Sequence, residues 1–277
     1  MATGQLRDAP ARSPRSLTGV PVLLYHGLTA ARPGEMGARQ KKYWVSEARF
    51  RDQLDQIHRG GYRVLLLREL WSGSAAIYGR SRLVTLTFDD GRDSDYSVAF
   101  PALGGSRARA DFFVNTSEIG KPGFLSWQQM AEMQRAGMGF QSHGHEHVDL
   151  SRLPEGALRH QLELSKRLLE DRLGSPVDFL GAPYGLVSAR LVDMAQRVGY
   201  RAVCTSRSWP ARPGSKTVSR VAVYAHTSAA QFRRLLGGNV FSYAVRMTRT
   251  AVVTLPKRVL LRYRPDRLGV RTLECQS

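Results

Sequence analysis

Short apolar runs alternating with amphipathic stretches constrain this chain more than any other feature. The run Val20-Pro21-Val22-Leu23-Leu24-Tyr25, the run Val64-Leu65-Leu66-Leu67 and the segments 83–88, 112–114, 138–141, 177–180, 201–205 and 218–224 read as buried strands. Between most of them lie helical patterns, at 46–59, 126–136, 154–173, 187–198 and 228–236. In the first of these, Phe50, Leu54 and Ile57 recur at i, i+4 and i+7 behind Ser46 as N-cap, and Gly60-Gly61 supplies the stop. Strands that are apolar on both faces and separated by helices are parallel strands covered by helices. Eight of them predict an α/β fold, a distorted or incomplete (β/α) barrel of about seven to eight parallel strands, with a doubly wound open sheet as the competing layout.

The 277 residues suit one barrel with appendages: a loose N-terminal segment 1–19, a barrel over 20–237, and a basic C-terminal appendage over 238–277. Hydrophobic residues at 42% and charged residues at 23% exclude a disordered or low-complexity chain. The net charge of +18 directs the surface toward phosphates, anionic lipid or acidic polymers. The appendage is expected to touch an anionic membrane peripherally. Two cysteines, Cys204 and Cys275, make no disulfide framework and read as reduced thiols. Residues 1–19 hold no apolar stretch of signal-peptide length, and no run is long enough to cross a membrane, so the expected location is cytoplasmic, at most peripheral at the inner membrane face.

Three segments carry chemistry. In Leu83-Val84-Thr85-Leu86-Thr87-Phe88-Asp89-Asp90-Gly91 a strand delivers two adjacent carboxylates to its C-terminal end, the face where α/β folds build sites. Adjacent side chains point different ways, so one Asp can bind a cation while the other faces a reacting water. Ser142-His143-Gly144-His145-Glu146-His147 follows another strand, and imidazoles four apart, His143 and His147, can converge on one ion. The middle imidazole, His145, is expected to point away. Phe179-Leu180-Gly181-Ala182-Pro183-Tyr184-Gly185 runs a strand into a turn able to aim backbone N–H groups into a cleft. Each segment alone also fits a bland reading, as a turn, a surface cluster or a loop. Trp44, Trp127 and Trp209 are expected to pack rather than bind.

Together the three resemble the NodB-type polysaccharide deacetylases, the fourth carbohydrate esterase family, over about residues 20–237. Thr87-Phe88-Asp89-Asp90-Gly91, the Ser142–Leu150 stretch and Pro183-Tyr184-Gly185 carry the resemblance. It implies a divalent metal, Zn²⁺ first and Co²⁺ or Mn²⁺ as alternatives, held by Asp90, His143 and His147, with Asp89 as general base. It also implies that the backbone N–H of Tyr184, beside Pro183, meets the oxyanion. Two departures stand out. The family places an Arg two residues before the Pro of Pro-Tyr-Gly, where this chain has Gly181. The family's late Leu-x-His motif is missing, with Tyr224-Ala225-His226 the nearest candidate, whereas Leu24-Tyr25-His26 satisfies it at the start. That arrangement is similar to the permuted branch containing the biofilm poly-N-acetylglucosamine deacetylases, so the general acid is expected at His26, with His226 second. Asp111 replaces a common Thr, without a functional reading.

The expected activity is removal of N-acetyl groups from an N-acetylated amino sugar in a glycan or carrier-linked saccharide. A catalytically inactive sugar- or partner-binding barrel is the alternative, supported by Gly181. The charge would also suit a nucleic-acid binder, but no recognition module accompanies it, and no nucleic-acid partner is expected.

Overall fold

The computed structural model describes residues 19–30, 42–73, 82–238 and 242–244. The 1–19 segment, apart from Gly19, and the 238–277 appendage, apart from 238 and 242–244, lie outside them. Among the described residues no helix is long and apolar enough to cross a membrane.

The strands are β1 (Val22–Tyr25), β2 (Gly27–Thr29), β3 (Trp44–Ser46), β4 (Tyr62–Val64), β5 (Arg82–Phe88), β6 (Asp111–Val114), β7 (Gly139–Ser142), β8 (Phe179–Gly181), β9 (Ala202–Thr205), β10 (Thr217–Ser219) and β11 (Val221–Ala222). The helices are α1 (Glu47–Arg59), α2 (Leu67–Ser72), α3 (Phe100–Gly105), α4 (Trp127–Arg135), α5 (Glu155–Leu173), α6 (Ala189–Val198) and α7 (Ala229–Leu236). Eight strands form one sheet in the order β10-β9-β8-β7-β6-β5-β1-β11, every neighbour parallel, with β4 added against the start of β5. Its two ends belong to one stretch of chain: 217–219 pair with β9, 221–222 pair with β1, and Arg220 alone separates them. The sheet is thus a nearly closed (β/α) barrel, not the open doubly wound alternative.

Alternation along each strand sorts side chains between two apolar clusters. Leu23, Tyr25, Val84, Leu86, Phe88, Phe112, Val114, Leu180, Val203 and Val221 face the helices, where they meet Phe50, Leu54 and Ile57 of α1 and Leu158, Leu162 and Leu169 of α5. Burying one such side chain contributes roughly 1.5–3 kcal/mol. Val22, Leu83, Phe113, Phe179, Ala202, Cys204 and Val218 fill the barrel, and Leu67 and Leu70 of α2 plug its lower end.

Ser46 caps α1 through its Oγ, which accepts from the Arg49 N–H at 3.4 Å, and Gly61 takes the left-handed backbone beyond the helix end. The helical expectations at 46–59, 126–136, 154–173, 187–198 and 228–236 match α1, α4, α5, α6 and α7 within two residues at each end. The strand expected at 64–67 is displaced: β4 ends at Val64 and α2 begins at Leu67, because Leu67 and Leu70 close the barrel floor and are apolar for that reason. A π-turn at Asp95–Ala99 leading into α3 had no periodic signal. Asp111 belongs to the floor: its Oδ2 accepts from the Leu67 N–H at 2.7 Å, and its Oδ1 from the Gln141 amide at 3.4 Å. Gln141 in turn accepts from the Asp178 and Phe179 N–H groups, so the replacement at 111 joins a structural network.

Candidate active site

Asp89 continues the inward face of Leu83, Thr85 and Thr87 to the C-terminal mouth, and its N–H donates to the Tyr25 carbonyl at 2.9 Å, extending the β5–β1 ladder. Arg220 continues the inward face of Val218 in the same way. The two meet head-on: Arg220 Nη1 and Nη2 donate to Asp89 Oδ1 and Oδ2 at 2.6 and 2.7 Å, with Arg220 wholly buried and its guanidinium 4.8 Å from the Phe113 ring centre. Burial works to raise the Asp89 pKa, but the Arg220 charge, His143, the paired hydrogen bonds and His26 bring it below the ordinary carboxylate value. Asp89 is an ionised carboxylate at neutral pH.

Asp90 turns the other way. Its backbone is left-handed at φ 80°, followed by Gly91 at φ 64°, where a β-carbon would lie 2.8 Å from Val114 Cγ1. Such a conformation costs a non-glycine residue about 1–3 kcal/mol and recurs at functional sites. It brings Asp90 Oδ1 to 3.6 Å from His143 Nε2 and 3.6 Å from His147 Nε2. One donor atom from each of the three lies within 4.8 Å of the others. Two bonds of about 2.0–2.1 Å meeting at a tetrahedral angle hold their donors roughly 3.4 Å apart, so the spacing fits a Zn²⁺-sized ion.

Packing and hydrogen bonds orient both imidazoles. His143 is buried, and its Nδ1–H donates to the Gly181 carbonyl at 2.9 Å, leaving the Nε2 lone pair toward Asp90. His147 packs against the Tyr184 ring at 4.5 Å, and the Tyr184 hydroxyl donates to its carbonyl at 3.1 Å. Burial lowers the His147 pKa to about 4 despite the pull of Asp90. Burial would raise the Asp90 pKa, but His147, His26, His143 and Arg92 take it below the ordinary value. Asp95, buried nearby, moves oppositely: burial and the Asp90 charge push its pKa well above the usual carboxylate range.

His145 turns away, as expected, with Nδ1 2.8 Å from Thr116 Oγ1. His26 follows β1 at the mouth. Its buried Nδ1 has no hydrogen-bond partner among the described residues, its ring lies 5.0 Å from Tyr43, and burial lowers its pKa against the pull of Asp90 and Asp89. His226 is exposed and stacks on Tyr224, three ring contacts from His26. Tyr184 is the second strained residue here, at φ 60°, in the one-turn helix Pro183–Gly185. Trp127 and Trp209 pack on the core, and the Trp44 ring lies where a β-carbon on Gly27 would sit, 2.7 Å away.

Gly181 proves to be a requirement of the cluster. A β-carbon there would lie 2.8 Å from His143 Nδ1 and 2.9 Å from Phe113 Cδ1. Asp89 nonetheless has a guanidinium partner, Arg220, which arrives from the segment between β10 and β11. Sequence reasoning missed Arg220 although a signal was present: it is the lone cation inside the apolar run 218–224, and a cation buried there needs a buried anion.

A parallel barrel whose mouth gathers one carboxylate and two imidazoles beside a second, Arg-held carboxylate has the make-up of a hydrolase centre. Residues 77–203 match the family model described as polysaccharide deacetylase. YxkH of Bacillus subtilis (strain 168), which carries a polysaccharide deacetylase name, is 24% identical over 216 residues, 77% of this chain and 74% of that protein. The poly-β-1,6-N-acetyl-D-glucosamine N-deacetylase of Staphylococcus aureus (strain MRSA252) is 23% identical over 175 residues, 58% of this chain and 60% of that enzyme, less than two thirds of its length. Among solved structures, the Streptococcus pyogenes deacetylase PplD in complex with acetate superimposes with a TM-score of 0.72 at 25% identity, over 80% of this chain and 99% of that one. IcaB from Ammonifex degensii does so with a TM-score of 0.68 at 25% identity, over 82% and 98%.

Proposed function

We propose that this protein is a metal-dependent hydrolase that removes N-acetyl groups from an N-acetylated amino sugar in a glycan or carrier-linked saccharide. The observation that carries this reading is the buried Arg220–Asp89 pair standing beside the Asp90, His143 and His147 cluster at the barrel mouth. The staphylococcal relative's named substrate and the acetate in the PplD structure point to the same chemistry.

Asp90, His143 and His147 would hold a divalent ion, Zn²⁺ before Co²⁺ or Mn²⁺. When bound, the ion supplies Lewis acidity toward a carbonyl oxygen and lowers the pKa of a water at the site. Asp89, ionised and aligned by Arg220, accepts the proton of the water whose oxygen adds to the acetamide carbonyl carbon. The backbone N–H of Tyr184, presented by the strained Pro183–Tyr184 turn, donates to the oxygen that becomes anionic. A well-aimed donor of this kind contributes about 2.7–4 kcal/mol. The C–N bond then breaks, the sugar nitrogen takes a proton from protonated His26, and acetate departs. Burial lowers the His26 pKa below the ordinary imidazole value, so its protonated form is the minor one at neutral pH and the readier donor when it forms.

The test is acetate release from N-acetylglucosamine oligomers and carrier-linked N-acetylated sugars. Wild type should turn over, chelation should stop it, added Zn²⁺ should restore it, and Asp90→Ala and Asp89→Asn should each remove it. Turnover by Asp90→Ala, or turnover that survives exhaustive chelation, contradicts the assignment.

A further inference from the structure

A row of aromatic rings runs outward from His26. Tyr43 lies 5.0 Å from His26, Tyr224 lies 5.6 Å from Tyr43, and His226 stacks on Tyr224 at 5.5 Å with ring planes 1° apart. The Lys42 ammonium stands over both tyrosine rings, 5.2 Å from the centre of Tyr43 and 5.4 Å from that of Tyr224. Distant parts of the chain build this strip, the approach to β3 and the loop after β11, and two ties hold them together. The Ala225 N–H donates to the Lys42 carbonyl at 3.0 Å, and the Arg49 guanidinium of α1 donates to the Ala225 carbonyl.

A cation held over aromatic faces is kept in place without being neutralised. Lys42 is exposed and, among the described residues, is joined to no carboxylate. The acids nearest His26 are already engaged, Asp89 by Arg220 and Asp90 among His143, His147 and Arg92. The strip therefore offers an unspent positive charge beside two half-buried tyrosines, one ring beyond the candidate acid. Lys42 is two contacts removed from His26, so an anion meeting it belongs to a neighbouring unit of the substrate and not to the acetamide.

We propose that Lys42, Tyr43 and Tyr224 form a subsite for the saccharide unit next to the reacting sugar, and that this unit carries an anionic oxygen group, a carboxylate or a phosphate. The tyrosines pack against the apolar face of the sugar while the ammonium meets the anion. The proposal rests on the deacetylase reading and narrows its substrate class to acidic glycans or glycan phosphates, in keeping with the net charge of +18.

The experiment measures acetate release and equilibrium binding with three oligosaccharides: a neutral N-acetylglucosamine oligomer, one alternating N-acetylglucosamine with a uronate, and one bearing a phosphate next to N-acetylglucosamine. Wild type should favour a charged oligosaccharide, and added salt should diminish the preference. Lys42→Met should lower kcat/KM and affinity for that oligosaccharide about fivefold more than for the neutral one, as for an ion pair of roughly 1 kcal/mol, and Lys42→Arg should retain the preference. Preference for the uronate or the phosphate identifies the anion. Equal losses on neutral and charged oligosaccharides in Lys42→Met, or no charge preference in wild type, overturn the proposal. If no oligosaccharide releases acetate, the deacetylase reading fails, and the binding selectivity with its dependence on Lys42 still decides the subsite.

Discussion

Arg220 and Asp89 stand 131 positions apart in the chain and meet through two parallel hydrogen bonds of 2.6 and 2.7 Å inside the barrel, both side chains nearly removed from water. A planar fork on a carboxylate fixes direction as well as charge, which an ammonium cannot do. Arg220→Lys should therefore fold yet lose about 10²-fold in kcat, the scale of a misplacement of roughly 1 Å, with a smaller change in KM. Arg220→Met leaves a buried carboxylate without its cation and should lose about 3–5 kcal/mol of stability in urea unfolding. Wild-type turnover by Arg220→Lys would show that the fork is dispensable.

The contact between Gly181 and His143 yields a second expectation. A methyl group at 181 forces the imidazole away from the Gly181 carbonyl that orients it. Gly181→Ala should weaken Zn²⁺ binding about 10- to 100-fold, measured by competition with a chromophoric chelator. Undiminished affinity would mean that the ring can shift without cost.

The three histidines of 143–147 should separate cleanly by metal titration. His147→Ala removes one of the three proposed ligands and should abolish stoichiometric Zn²⁺ binding, whereas His145→Ala, which loses the contact with Thr116, should keep it. The reverse order of effects would reassign the ligand set.

Asp111 gives a pH dependence of stability. Burial pushes its carboxyl up to about 6 from an ordinary 3.8, so between those values the folded chain holds a proton that the unfolded chain releases. Stability from this group is full below about pH 4 and falls as pH rises through about 6, by roughly 3 kcal/mol in all. Asn at 111 can still accept from the Leu67 N–H, so Asp111→Asn should flatten that part of the curve when urea midpoints are compared across pH 4–7. Identical curves for variant and wild type would place the proton elsewhere.

Much of the fold could be read from periodicity, and the reason is local: α1, α4, α5, α6 and α7 bury one face each, and the inner strands are apolar on both sides. What periodicity could not supply was which face of a doubly apolar strand looks inward. Asp89 and Arg220 both follow from that choice, and it depends on barrel closure between elements some two hundred residues apart. The 64–67 segment misled for a related reason, since a helix that plugs a barrel is as apolar as a strand that lines it. Asp90, His143 and His147 were accessible because they come as compact motifs, whereas Arg220 is a single residue whose meaning lies in its partner. The lack of a side chain at Gly181 has a structural reason that only the His143 ring beside it reveals.

The segment that passes from β9 to β1 at Arg220 has a consequence for biogenesis. A nascent chain holds Asp89 as a carboxylate without its counter-cation until the ribosome has added some 130 further residues, and β1 lacks one of its two neighbours over the same interval. The pairing that seals the cylinder thus arrives with the cation that Asp89 awaits, and a product truncated before residue 220 has neither.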